Sequence, residues 1–434
     1  MTRTIVVEEL ARVEGHGGIT VEMQGDQVKN VRFDVFEGPR VLESLMVGRH
    51  FSDVAPTISR ICAICSAAHF VTSLKATEAA FGVAVSSQTA LLRELLFRGE
   101  NIESHALHVF LLAVPDYLRY PGATAMAADH PDVVMLGLSL KQLGNAIQET
   151  IGGRAIHPVN PVLGGFGKLP TRMQLIDLKR RIDQAIEQIP FMADFLAALP
   201  SAEGCNAPTV YAAMVPDAYS YSAPGDIAFL FGSETARFTA DDYRTFTNEK
   251  SLRHSFAKHS TVRGEPFMVG ALARLTVNGN KVSGRAADVM ARIGLSLPSS
   301  DPLDNNKAQV VELVMDLEWC QRVLDKLIVS GLSDEKPVPV VPRAGSGTAL
   351  VEAPRGLLVH SYAYNEDYKL ARADVITPTA MNAASMERHF RFGVEQSNDK
   401  SDAALKRRLE MIARAYDPCI SCSVHMVRVN EHAR

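Results

Sequence analysis

Two Cys-x-x-Cys pairs lie near opposite ends of this chain, Cys62-Ala63-Ile64-Cys65 and Cys419-Ile420-Ser421-Cys422. Each is followed by a histidine, His69 and His425. Four thiols in two close pairs can converge on one metal centre, and only the folded chain can bring pairs so far apart together. That demand limits the fold more than any local pattern does. With 434 residues the chain can bury a substantial core, as two or three domains or as one large interlocked one. Its six cysteines are too few for a disulfide framework. In a reducing compartment paired Cys-x-x-Cys reads as metal binding or thiol redox chemistry. Cys205 and Cys320 stand alone and are expected to be buried structural thiols.

The 45 basic and 49 acidic residues signal no dominant basic face, which weighs against a nucleic-acid binder. No run of roughly 18 apolar residues occurs, so no membrane span is expected. Met1 to Leu10 carry charges without an apolar core, and no secretory or twin-arginine leader is visible. The expected location is cytoplasmic, unless a partner carries the targeting signal.

The pattern along the chain is α+β, with a mainly helical core of long helices and peripheral antiparallel strands and hairpins. Residues 4–9 and 18–36 alternate as strands, with a turn at Gly25-Asp26. Gly15, Gly17 and Gly18 permit tight backbone, and a bend between strands is the plain reading. Residues 40–50 look helical and carry Glu43, on local composition a surface carboxylate. A helix is expected from Ser66 to Phe81, with Ser66 as a candidate cap and His69 on the face of Cys65. The helix over 88–112 carries His105 and His108, with Asp116 following Pro115. Packing roles are the simple reading of both histidines. A further helix covers 134–151, and the Pro- and Gly-rich stretch after it is irregular. The helix over 171–199 has Ile176, Leu178, Ile182, Ile186 and Ile189 near the helical period and a kink expected at Pro190. Residues 204–300 are mixed, 305–331 form a long helix, and 335–350 are a Pro- and Gly-rich connection. A strand at Leu357–His360 and a return strand over 369–376 precede a final helix near 383–413, which delivers the chain to Asp417.

Thiols near a helix start are favoured as thiolates by its free N–H groups. Four of them admit a structural zinc, an iron–sulfur cluster, or a catalytic nickel or iron centre. Spacing does not separate these. A zinc knuckle usually staples a small module, whereas these pairs would tie the two ends of a long chain. That favours a buried centre with a larger task.

Arg60-Ile61-Cys62-Ala63-Ile64-Cys65-Ser66-Ala67-Ala68-His69 resembles the N-terminal cysteine motif of the large subunits of [NiFe] hydrogenases. Asp417-Pro418-Cys419-Ile420-Ser421-Cys422-Ser423-Val424-His425 resembles their C-terminal motif. Further matches run the length of the chain. They are Arg12–His16, His105–His108 with Asp116, Gly152–Pro158, Ala353–Gly356 and Thr377–Asn382. The resemblance implies the [NiFe] hydrogenase large-subunit fold and reversible heterolytic cleavage of H2. It implies nickel held by all four thiolates, with Cys62 and Cys419 terminal and Cys65 and Cys422 bridging to an iron that carries two cyanides and one carbon monoxide, Fe(CN)2(CO). Cys419 would be a first base and Glu14 the relay for the proton. Arg355 would stand over the open side, oriented by Asp116. Thr379, with Pro378 beside it, would serve a cyanide, and His69 would hydrogen-bond a bridging thiolate. Glu43, the Val375 carbonyl and His425 would hold magnesium (Mg).

The resemblance also implies partners. These are an iron–sulfur small subunit, electron-transfer subunits linked to NAD(P), deazaflavin or ferredoxin, a maturation endopeptidase and nickel-insertion proteins. The motif before Cys419 is most like the cytosolic bidirectional group. The expected organisation is a single interlocked domain over 1–434. It comprises a β-rich N-terminal region over 1–36, a helical core 40–200 and 305–331, a mixed insertion 204–300, a hairpin and C-terminal helix 353–425, and a tail 426–434 that is a candidate for cleavage. A structural zinc-binding or complex-I-like interaction subunit without hydrogenase activity is the alternative.

Overall fold

The computed structural model describes residues 2–38 and 41–424. The chain opens with an antiparallel sheet of β1 (Thr2–Val7), β2 (Gly17–Gln24) and β3 (Gln27–Val35). Ile5 and Val7 of β1, Ile19, Val21 and Met23 of β2, and Phe33 of β3 are all buried. Alternation of this kind sends every second side chain inward. The expected turn is present, with Gly25 at φ +61° between β2 and β3.

The helical core follows. After short helices Leu42–Met46 and Phe51–Ile58 come α1 (Ser66–Phe81), α2 (Ser87–Ala106) and α3 (Pro131–Gly152). The helix expected over 40–50 is thus one short turn followed by a second helix. Gly82, in the left-handed conformation at φ +70°, ends α1. Helices α2 and α3 approach closely where Gly99 faces Ile147: an added Cβ on Gly99 would lie 2.7 Å from the Ile147 Cγ2. Beyond α2 the chain takes a π-helical turn, Leu107–Ala113, which carries His108.

The region expected as one kinked helix over 171–199 is two, α4 (Arg172–Glu187) and α5 (Ile189–Ala197). Pro190 lies at the start of the second, where its missing N–H costs no helical hydrogen bond. A capping box of Thr171 and Gln174 begins α4. Its buried stripe is Leu175, Leu178, Ile182 and Ile186, with Ile176 only half-buried. Each such side chain contributes about 1.5–3 kcal/mol on burial.

The mixed segment contains β4 (Val210–Val215), β5 (Asp226–Phe231) and β6 (Glu234–Phe238) in one sheet, then a ribbon of β7 (Lys250–Leu252) and β8 (Ser255–His259). The long α6 (Asp304–Ser330) returns the chain to the core. The last sheet is β9 (Gly345–Ala353), β10 (Gly356–Tyr364) and β11 (Leu370–Ile376). The sequence places 335–350 in a connection, yet residues from Gly345 onward form β9. The final helix is also two, α7 (Pro378–Glu395) and α8 (Asp402–Ala415). Ser401 caps α8 by accepting from the Ala404 N–H, which gives that helix its own start. The main hydrophobic core draws on β1–β3, α1–α8 and the segments around both cysteine pairs alike, so those segments meet inside it.

Candidate metal centre

Both cysteine pairs stand where a helix begins. Cys65 is the residue before α1, and Cys419 precedes the short helix Ile420–Ser423. Ser66 does not cap α1. The Glu100 carboxylate does so from α2, accepting from the Ala67 N–H at 2.7 Å and from the Ala68 N–H at 3.0 Å. The Ser66 hydroxyl instead accepts from the His157 N–H at 2.9 Å and ties down the 152–158 loop.

The four sulfurs meet. Cys62 Sγ lies 3.3 Å from Cys419 Sγ, Cys65 Sγ 3.7 Å from Cys422 Sγ, and Cys419 Sγ 2.8 Å from Cys422 Sγ. All four thiols are buried. They share protons. Burial opposes ionisation of Cys62, but hydrogen bonds from Cys419, Cys422 and Cys65 and the charge of Arg355 bring its pKa well below the usual thiol range. Burial and the bonds that Cys422 gives to its neighbours push its own thiol well up. Ionising all four together requires cations in their midst. A buried set of four soft donors fits nickel, iron or zinc and not magnesium or calcium.

Arg355 is buried beside this cluster. Its Nε donates to the Asp417 carbonyl at 2.8 Å and its Nη2 to Asp417 Oδ1 at 2.9 Å. Its Nη1 is buried with no hydrogen-bond partner among the described residues. The expectation that Asp116 orients Arg355 is corrected by this geometry. Asp116 binds Arg12 and Arg414, the latter at 2.6 Å, and is fully engaged by two guanidinium groups. The carboxylate on Arg355 belongs to Asp417, within the cysteine motif itself.

The model of the family described as Nickel-dependent hydrogenase matches residues 40–167 and 221–425, and that described as HoxL-like matches residues 4–37. The chain is 37% identical to the alpha subunit of sulfhydrogenase 1 of Pyrococcus furiosus, over 98% of each chain. It is 38% identical to the alpha subunit of sulfhydrogenase 2 of the same organism, over 98% of this chain and all of that one. It is 31% identical to a chain of the vhu F420-non-reducing hydrogenase of Methanocaldococcus jannaschii, over 88% of this chain and 97% of that one. The chain is the catalytic large subunit of a [NiFe]-type hydrogenase. An NAD+-reducing [NiFe]-hydrogenase in the H2-reduced state shares its fold, with a TM-score of 0.83 at 24% identity over 98% of this chain and 99% of the other.

In this hydrogenase chain Glu14 reaches the thiol cluster from the N-terminal segment. The Cys419 thiol donates to Glu14 Oε2 at 3.2 Å, the Ser421 N–H donates to the same oxygen at 3.1 Å, and the Ser421 hydroxyl donates to Oε1. The backbone joins in, with the Ile420 N–H on the Glu14 carbonyl at 2.9 Å. Thr379, in the first turn of α7 next to Pro378, accepts from the Cys419 N–H at 2.9 Å. His69 Nδ1 lies 3.0 Å from His360 Nε2, and His360 Nδ1 lies 2.6 Å from the Tyr362 hydroxyl. Glu43 accepts from the Val375 N–H at 2.6 Å, so these two residues do come together. His425 and the tail 426–434 lie outside the described residues.

His105 and His108 make buried structural hydrogen bonds, in keeping with the simple reading of both. His105 Nε2 pairs with Glu312 at 2.8 Å, and His108 Nε2 meets the Arg414 carbonyl at 2.7 Å. Three supporting residues carry no signal in the sequence: Glu100 at the helix start, Gln309, whose Nε2 donates to Asp417 Oδ2 at 3.1 Å, and Arg274 beneath the Arg355 loop. Each acts across a long stretch of chain. No local motif marks them. Among the described residues no helix is long and apolar enough to cross a membrane.

Proposed function

We propose that the thiolates of Cys62, Cys65, Cys419 and Cys422 would hold a nickel–iron centre whose iron carries cyanide and carbon monoxide. When bound, that centre supplies the electron-accepting and hydrogen-activating chemistry of reversible H2 cleavage. The chain's own residues manage the proton. Cys419 Sγ exchanges it with Glu14 Oε2, and the two hydrogen bonds from Ser421 keep that carboxylate aimed at the sulfur. Arg355 remains a cation beside the centre because Asp417 neutralises it, so its contribution is electrostatic. Thr379 accepts the Cys419 N–H through its hydroxyl oxygen, which leaves its own proton to donate to a cyanide when the centre is bound, with Pro378 alongside it. His69, held by His360, is assigned to a bridging thiolate.

Glu43, the Val375 carbonyl and His425 are assigned to magnesium; the contact of Glu43 with Val375 supports that pairing. Cys205 and Cys320 are the two thiols left over and both are buried, too few for an iron–sulfur cluster. Electrons therefore leave through an iron–sulfur small subunit toward a soluble acceptor module linked to NAD(P), deazaflavin or ferredoxin, in the cytoplasm. Nickel-insertion proteins and a maturation endopeptidase complete the assembly.

The contact between Cys419 and Glu14 carries this reading. Glu14→Gln in the assembled enzyme is expected to retain the infrared bands of bound carbon monoxide and cyanide while hydrogen–deuterium exchange slows by about 100-fold or more. Exchange at the wild-type rate refutes the relay. Cys422→Ser is expected to lose nickel, read by elemental analysis.

A further inference from the structure

A second group of metal-binding side chains lies apart from the four thiols. His254 sits in the turn between β7 and β8, His259 ends β8, and Glu387 lies in α7. His254 Nε2 is 2.9 Å from Glu387 Oε1, and His259 Nδ1 is 3.7 Å from Glu387 Oε2. One donor atom from each residue lies within 4.8 Å of the other two. The Phe33 N–H donates to Glu387 Oε1 at 2.8 Å and orients the carboxylate, as outer hydrogen bonds do around metal ligands. The His259 side chain is 7% exposed, and its Nδ1 is the ring nitrogen that faces Glu387. The His254 side chain is 25% exposed and opens the group to solvent.

We propose that His254, His259 and Glu387 form a binding site for one divalent cation of the zinc class. Two imidazoles and one carboxylate suit such a borderline ion, with water in the fourth position. Magnesium and calcium, which prefer all-oxygen sites, match it poorly. Its position suggests a task. Ala257, in the middle of β8, bridges to Val424, just beyond Cys422. Helix α7, which carries Glu387, also carries Thr379 on the Cys419 N–H. A cation joining β8 to α7 braces both supports of the C-terminal cysteine pair.

The test uses the assembled enzyme with its thiol centre filled. Loosely held metal is removed with a chelator, zinc is added in excess magnesium, and zinc is counted per chain. Wild type is expected to hold one zinc that His254→Ala and Glu387→Gln each lose. Cobalt in its place is expected to give visible absorption bands of nitrogen and oxygen coordination. Saturating zinc is expected to raise the thermal midpoint of wild type and not of His254→Ala. Equal zinc in wild type and both variants, or none added to wild type, overturns the proposal. Glutamine keeps the size of Glu387 and an acceptor for Phe33. Should either variant fail to fold, the wild-type cobalt spectrum decides, and absent bands overturn the site.

Discussion

Asp417 grips Arg355 twice, by its carbonyl on Nε at 2.8 Å and by its carboxylate on Nη2 at 2.9 Å. Asp417 itself lies only two positions before Cys419, at φ +50°. The residue that neutralises the buried guanidinium is therefore rigidly tied to a metal-binding thiol. Asn tolerates the left-handed backbone and keeps one acceptor for Nη2, so Asp417→Asn removes the charge together with the acceptor for Gln309 Nε2 while keeping the size of the side chain. Hydrogen turnover is expected to fall about 10- to 100-fold, the usual cost of losing a partner just outside a metal site. Nickel content is expected to hold, and the infrared bands to shift without vanishing. Unchanged turnover would show that Arg355 needs no counter-charge.

Arg274 supports the same loop from below. It donates from Nε to Glu312 at 2.6 Å, from Nη1 to the Ala353 carbonyl at 2.9 Å and from Nη2 to the Pro354 carbonyl at 2.9 Å. Glu312 and Glu352 around it are fully buried. Arg274→Met leaves these carboxylates without their cation, at a cost of about 3–5 kcal/mol. Lower thermal midpoint and poor nickel retention are the expected readouts. Arg274→Lys keeps the charge and loses the forked geometry, and is expected to fall between.

Asp301 makes stability depend on pH. Burial raises its pKa from 3.8 to about 6, against the opposing hydrogen bond from the Leu303 N–H. A carboxyl group that binds its proton more tightly when folded stabilises the fold below its unfolded pKa, and that contribution fades as pH rises through the folded value. The window is therefore about pH 4 to about pH 6. Asp301→Asn keeps the acceptor for Leu303 and carries no charge. It is expected to be more stable than wild type at pH 7.5 by up to about 3 kcal/mol, with the gap closing toward pH 4. Thermal scans at one rate across that range check it. A gap independent of pH would locate the penalty elsewhere.

The thiol site is legible in the sequence because its residue types are rare and its spacings tight. Helix α1 is legible to both ends, with Cys65 before it and Gly82 after it. Strand β9 is not. Gly345 and Gly347 read as loop residues, yet they let the strand press onto α1: an added Cβ on Gly345 would meet the Ala80 carbonyl at 3.0 Å. The break between α7 and α8 falls on the polar run Gln396–Ser401, which a single helix over 383–413 passes over. Asp116 meets different arginines from the one expected, because spacing along the chain does not say which of several guanidinium groups a carboxylate will reach. Arg12 and Arg414 compete for it and win. Glu100 and Gln309 lie inside long helices, where nothing local separates a cap or a clamp from an ordinary polar residue.

Gly15 tests how the relay carboxylate is placed. Its φ is +86°, and an added Cβ would lie 2.8 Å from both the Ile420 Cβ and the Ser421 N. Those atoms belong to the segment that Glu14 grips. Gly15→Ala therefore adds backbone strain of about 1–2 kcal/mol and also pushes Glu14 away from Cys419. Gly25 separates the two effects. It has φ +61° with nothing within 4 Å of an added Cβ, so Gly25→Ala carries the strain alone. Both variants are expected to lose thermal stability. Only Gly15→Ala is expected to slow hydrogen–deuterium exchange as Glu14→Gln does, with the carbon monoxide and cyanide bands kept. Equal exchange rates in the two alanine variants would mean that the Glu14–Cys419 distance does not set the rate of proton transfer.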